Sequence, residues 1–113
     1  MAAFSVVIAP GPGAVVVQLR GTMTFHDYEA ADRVIDDIFA AAQSMRDGGE
    51  APAEVVFDLG EVDMIDSHWL GIFVRTLKRA QEQHMTVTLQ KARSPVRRLL
   101  DQVQFDRVFR LAD

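Results

Sequence analysis

The sequence lacks cysteine, which excludes disulfide bonds and thiol catalysis and fits a reducing compartment. It has no block of basic residues and a net charge of −4, so nucleic acid is not an expected partner. No apolar run reaches the ~18 residues of a transmembrane helix, so direct membrane insertion is not expected. Residues 1–5 lack the basic region of a secretory signal, and a cytoplasmic location is the resulting expectation.

What the chain does contain is enough apolar sequence for one core. It has 113 residues, the size of a single domain, and 49% of them are hydrophobic. No internal repeat, low-complexity tract or linker divides it. We therefore predict one domain over residues 1–113.

Strand-like and helix-like segments alternate after an initial hairpin. Ala9-Pro-Gly-Pro-Gly13 is typical of a hairpin turn, and it lacks the lysine and spacing of a phosphate-binding loop. Thr24-Phe25-His26-Asp27 has the pattern of a helix capping box. The predicted strands are 4–8, 14–19, 55–57, 85–89 and a short last segment at 107–111; the predicted helices are 25–46, 68–82 and one capped by Ser94 before Pro95. This alternation predicts an α/β fold with a mixed sheet of four to five strands covered by helices.

The stretch from Val55 to Val74 carries the clearest functional pattern. A buried strand at 55–57 leads into Asp58-Leu59-Gly60-Glu61, which has the composition of a turn. Asp66-Ser67 then stands directly before an apolar run, where both residue types are preferred as helix N-caps. A serine hydroxyl is thus predicted at the positive end of a helix dipole, a favourable place for a phosphate.

The same stretch resembles the core motif of the STAS domain, the fold of bacterial anti-sigma factor antagonists. The matching residues read Asp58-Leu59-x-x-Val62-x-x-Ile65-Asp66-Ser67-x-x-Leu70-Gly71, against the usual D-L-S-x-V-x-x-I-D-S-[ST]-G-L-G. In antagonists of this type the serine after the aspartate is phosphorylated by a partner kinase that is also the anti-sigma factor. The resemblance therefore implies that Ser67 is the phosphoacceptor.

Two departures from the motif border that serine. His68 replaces the usual small hydroxyl residue, and Trp69 replaces glycine. The corner at 21–24 also lacks the acidic residue that many antagonists carry beside the phosphoacceptor. Trp69 lies near the edge of the predicted apolar stripe of Leu70, Val74 and Leu77, and it either packs in the core or is an aromatic anchor for a partner. Because the family has glycine at this position and reserves no core space for a large ring, we expect part of the Trp69 ring to reach solvent.

Other chemistry is possible but less well supported by the residues. Asp58, Asp63 and Asp66 could form a carboxylate cluster, although aspartate is also common in turns and caps. The three histidines share no metal-binding motif, and no G-x-S-x-G elbow surrounds Ser67, which disfavours a Ser–His hydrolase. We therefore expect no catalytic residue, no metal and no cofactor.

The resemblance implies a regulatory module rather than an enzyme. Its implied partners are a serine kinase and anti-sigma factor of the histidine-kinase-like ATPase class, and a metal-dependent phosphatase that resets the switch. The implied partner-binding residues are Thr24, Asp66, Ser67, His68, Trp69 and Leu70. The alternative is a STAS subunit of a transporter or signalling assembly that binds constitutively without phosphorylation.

Overall fold

The computed structural model describes residues 4–23 and 28–113, and in this part of the chain five strands alternate with three α-helices. The strands are β1 Phe4–Gly11, β2 Ala14–Met23, β3 Glu54–Ile65, β4 Thr86–Gln90 and β5 Arg110–Ala112. The helices are α1 Tyr28–Asp47, α2 Ser67–Glu82 and α3 Ser94–Gln102, with a 3₁₀ helix at Phe105–Arg107. The predicted alternation is confirmed.

The strands form one mixed sheet in the order β1-β2-β3-β4-β5. β1 pairs with β2 antiparallel through a hairpin in which Gly11 faces Ala14, and Gly13 takes the positive φ of 67° that this turn needs. The other neighbours are parallel, so each is joined by a crossover that contains a helix. Three crossovers step across the sheet in one direction, and helices α1 and α2 pack together over one of its faces.

The core lies between this face and the helices. Alternate residues of β2 and β3 point into it and are fully buried, among them Val15, Val17, Val55 and Phe57. Helices α1 and α2 pack against each other above them. β3 lies in the middle of the sheet, with a parallel neighbour on each side, which confirms the prediction of an interior strand at 55–58.

The predicted turn at 58–61 is wrong, because β3 continues through it to Ile65. The local chemistry is nevertheless that of a turn, since Asp58 Oδ1 accepts a hydrogen bond of 2.9 Å from the Gly60 N–H. β3 has two bulges in its pairing with β2, each with one residue more in β3 than in β2. Each bulge shifts the alternation of buried and exposed side chains along β3 by one position. The buried residues after Phe57 are therefore Leu59, Val62 and Ile65, at a spacing of three.

Two other boundaries differ from the predictions. β2 runs past Gly21, whose φ of 92° accommodates the irregular pairing, and ends at Met23. The N-cap of α3 is Arg93 rather than Ser94, and its side chain makes no capping hydrogen bond. The predicted capping box at 24–27 falls outside the described residues, and α1 is described from Tyr28.

Helices α1 and α2 end in the same hydrogen-bonded motif. After α1, the Glu50 N–H donates to the Met45 carbonyl, and the residue directly before Glu50 is Gly49, with φ of 90°. After α2, the Met85 N–H donates to the Ala80 carbonyl, and the equivalent residue is His84, with φ of 59°. This left-handed position favours glycine, so His84 holds a strained backbone that Gly49 does not.

We therefore expect His84→Gly to raise the free energy of unfolding by about 1 kcal/mol, because it relieves the left-handed strain. Gly49→Ala should lower it by a similar amount, since no described atom beyond the two chain neighbours lies within 4 Å of a β-carbon at Gly49 and only the backbone conformation opposes the change. Urea unfolding measures both. His84→Ala is the control, because it removes the imidazole but keeps the strain; an equal gain from alanine would contradict the backbone explanation.

Candidate functional site at the amino-terminal end of helix α2

Asp66 makes the junction between β3 and α2. Its backbone is extended, with φ −106° and ψ 178°, and its N–H donates to the Met23 carbonyl at 3.1 Å. Its Oδ1 accepts from the Trp69 N–H at 3.1 Å, while its carbonyl accepts from the Leu70 N–H at 3.2 Å. Asp66 therefore ties the end of β2 to the first turn of α2 and is the N-cap of that helix.

Ser67 is the first residue of α2 rather than its cap. The predicted helix start within two residues of Ser67 is confirmed, but the expectation that its hydroxyl caps the helix is wrong. Asp66 already occupies the capping position, and Ser67 is exposed. Its side chain is thus available to a partner at the positive end of the helix dipole.

Trp69 is in the core, and the prediction that part of its ring reaches solvent is wrong. The side chain has 0% exposure, and its ring lies 5.9 Å from that of Phe4, edge-on, and 6.3 Å from that of Phe73. The helical phase explains the error, because the buried face of α2 is centred on Trp69, Ile72, Phe73, Thr76 and Ala80. The stripe expected from the sequence, Leu70, Val74 and Leu77, is only its half-buried flank. Trp69 therefore cannot be an exposed anchor.

His68 contacts the neighbouring helix. Its Nε2 lies 3.3 Å from Asp32 Oδ1 on α1, and the same oxygen accepts from Arg75 Nη2 at 2.8 Å. The hydrogen bond from Arg75 lowers the pKa of Asp32 and outweighs the opposing effect of desolvation, so this carboxylate stays ionised near neutral pH. The cluster links α1 to the turn that carries Ser67. Asp32 is remote in sequence and was not identified from it.

The three aspartates considered as a carboxylate cluster have separate roles. Asp58 accepts from the Gly60 N–H and lies 3.9 Å from Lys91 Nζ, Asp63 accepts from Arg93 at 2.9 Å, and Asp66 caps α2. Within residues 4–23 and 28–113, no group of three or more His, Asp or Glu side chains is placed to hold a metal ion. The expectation that the protein binds no metal remains a prediction.

An exposed methionine extends the candidate site. Met64, at the end of β3 and three residues before Ser67, has 47% exposure. Leu70 is half-buried against the core, and Thr24 lies outside the described residues. We call Met64, Asp66, Ser67, His68 and Leu70 the Ser67 surface. Met64 was missed because the sequence predicted that the strand ends at Phe57, whereas β3 continues to Ile65 and places Met64 at its exposed end.

The comparison with protein families settles the assignment. The model of the STAS domain matches residues 5–113, nearly the whole chain. The chain belongs to the STAS domain family. The Asp66-Ser67 junction therefore lies within a STAS domain, and the fold predicted from the motif is confirmed. A search of curated proteins found no match.

Solved structures share the fold at low sequence identity. An anti-sigma factor antagonist from Mycobacterium paratuberculosis is 22% identical with a TM-score of 0.77, over 96% of this chain and 85% of that one. The antagonist SpoIIAA in its unphosphorylated form is 14% identical with a TM-score of 0.74, over 96% and 89%. The Bacillus cell fate determinant SpoIIAA in its phosphorylated form is 13% identical with a TM-score of 0.64, over 96% and 92%. None of the helices described in this STAS domain is long and apolar enough to cross a membrane.

The capping assignment predicts different effects for adjacent residues. Asp66→Ala should lower the free energy of unfolding by about 0.5–2 kcal/mol, because the Trp69 N–H loses its acceptor. Ser67→Ala should change it by less than about 0.5 kcal/mol, since Ser67 is exposed and does not cap. Urea unfolding of both variants tests this, with Asp66→Asn as a control that retains a capping oxygen. A larger loss from Ser67→Ala than from Asp66→Ala would reverse the assignment.

The buried ring of Trp69 makes a second prediction. Because Trp69 is the only tryptophan and is fully buried, iodide should quench native fluorescence weakly and fluorescence in urea strongly. Trp69→Ala should lower the free energy of unfolding by about 3–5 kcal/mol, as expected for an aromatic side chain removed from a core. Strong iodide quenching in the folded protein, or a loss below about 1 kcal/mol, would place the ring at the surface.

Proposed function

We propose that this protein is a non-enzymatic anti-sigma factor antagonist of the cytoplasm, switched by phosphorylation of Ser67. The kinase is a serine kinase of the histidine-kinase-like ATPase class that is also the anti-sigma factor. The observation that carries the proposal is the exposed Ser67 as first residue of α2, at the position where the family motif has its phosphoacceptor. Membership of the STAS family supports it, as do neighbours that are anti-sigma factor antagonists, one solved in phosphorylated form.

The electrostatics at this position are favourable to a phosphate. A phosphoserine adds about −1.5 to −2 charges near pH 7. The capping carboxylate of Asp66 directly precedes Ser67, but α2 has no further acidic residue in its first turn, and the positive end of its dipole stabilises an anion. The helix therefore accommodates the modified serine without unfolding.

The same charge works against a docked partner. In the unmodified state, the Ser67 surface offers a neutral hydroxyl and, three residues earlier in the chain, the exposed Met64 side chain. Docking here would occupy the anti-sigma factor and release the sigma factor. After phosphorylation, the interface would have to desolvate a doubly charged group, which weakens the complex. A metal-dependent phosphatase then restores the binding form.

A second candidate is a STAS subunit that binds its assembly constitutively. The observation that favours it is that the two residues that differ from the family motif both make contacts within the protein: His68 contacts Asp32, and Trp69 packs in the core. Enzymatic function has less support, because Asp58, Asp63 and Asp66 are each engaged in different local contacts.

Phosphorylation is tested directly with purified protein, ATP and each anti-sigma factor of the histidine-kinase-like class from the source genome. Mass spectrometry should find one phosphate on Ser67 in the wild-type protein and none in Ser67→Ala. Ser94 is the matched internal control, because it is also an exposed first residue of a helix. Phosphate on Ser94 but not on Ser67 would contradict the proposed acceptor.

The switch predicts an effect of charge on affinity. Ser67→Asp should weaken binding to the same kinase at least about tenfold relative to Ser67→Ala, a difference of about 1.4 kcal/mol. Ser94→Asp, with the same charge at the same position of α3, should bind as the wild-type protein does. Calorimetric titration measures both. Equal affinity of Ser67→Asp and Ser67→Ala would favour the constitutive subunit.

A further inference from the structure

Gly71 is a glycine that the fold itself does not require. It lies inside α2, where glycine is among the least favourable residues, and its backbone is ordinary helix without a positive φ. Apart from its two chain neighbours and the adjoining backbone of α2 itself, a β-carbon built at Gly71 meets no described atom within 4 Å. By contrast, a β-carbon at Gly11 would lie 2.9 Å from Val16 Cγ2, and Gly49 needs its positive φ. Alanine at position 71 would therefore fit this chain.

The empty space at Gly71 is beside Ser67. The two residues are four apart on α2, so they lie on the same side of the helix, separated by about 6 Å along its axis. Side chains on a helix lean toward its amino terminus. A side chain at Gly71 would thus cover the surface next to Ser67, and its absence leaves the approach to the hydroxyl open.

We propose that Gly71 is a specificity-determining residue of the Ser67 surface, because it lets the backbone of the phosphorylating kinase pack closely against α2. The inference rests on the proposed function. In the transfer step, Ser67 Oγ forms a bond to the γ-phosphorus of ATP, the bond from that phosphorus to the β,γ-bridging oxygen breaks, and ADP leaves. The hydroxyl proton passes to a base of the kinase. Ser67 Oγ and the γ-phosphorus must come within bonding distance, so a larger side chain at position 71 would keep the ATP-bound kinase too far from Ser67 for transfer.

This role predicts opposite changes in stability and affinity. Gly71→Ala should raise the melting temperature by about 2–6 °C, because alanine is the better helix former. The same change should weaken binding to the anti-sigma factor kinase and slow phosphorylation of Ser67 at least tenfold. Gly71→Leu should have a larger effect on both binding and phosphorylation. Gln81→Ala, at an exposed position near the other end of α2, is the control and should bind as wild type.

The measurements are thermal unfolding, calorimetric titration with the purified kinase, and the initial rate of phosphate incorporation from ATP. A stabilised Gly71→Ala variant that binds and is phosphorylated as the wild-type protein is would overturn the inference and leave the proposed function intact. A destabilised variant would also overturn it, because the fold would then require the glycine. If the wild-type protein binds no kinase, the proposed function fails and the role of Gly71 fails with it.

Discussion

The hydrogen bonds of Asp66 set the geometry on which the rest of the site depends. One residue joins the end of β2, through the Met23 carbonyl, to the first turn of α2, through the Trp69 N–H. Because the cap determines where the helix begins, it also determines which residues face inward. Trp69 then points into the core, while Ser67, two residues earlier, is exposed. The exposure of the serine and the burial of the tryptophan are thus consequences of one junction.

The buried ring of Trp69 connects this junction to β1 at the edge of the sheet. Its ring contacts Phe4 on β1 and Phe73 on α2, and Phe73 in turn packs edge-on against Phe57 of β3 at 4.8 Å. The hairpin strand, the central strand and the helix therefore meet in one aromatic cluster. Such contacts are individually modest but hold the amino-terminal turn of α2 against a close-packed core.

Much of the fold was predictable because its signals are local. Turn residues, apolar runs and the change from strand to helix identified nearly every element, and the motif around Asp66 and Ser67 identified the family. The predictions were wrong where residues typical of a turn or a helix cap lie in a different element or position in the structure. Asp58 and Gly60 make the hydrogen bond of a turn, yet they lie within β3 because its bulges against β2 accommodate them. At α3 the N-cap is Arg93 and Ser94 is the first helical residue, although serine is the residue type that is preferred as a cap.

The sequence by itself determined the alternating α/β architecture, the interior strand at 55–58 and the serine at the start of a helix. Only the tertiary structure decided the phase of α2, which places Trp69 inside, and the contact of His68 with Asp32 on another helix. A one-residue change in the helix start rotates every side chain by about 100°, and the apolar residues of α2 extend over a face wide enough to fit either phase. The choice between them depends on the β2 carbonyl and the aromatic neighbours, which are distant in the chain.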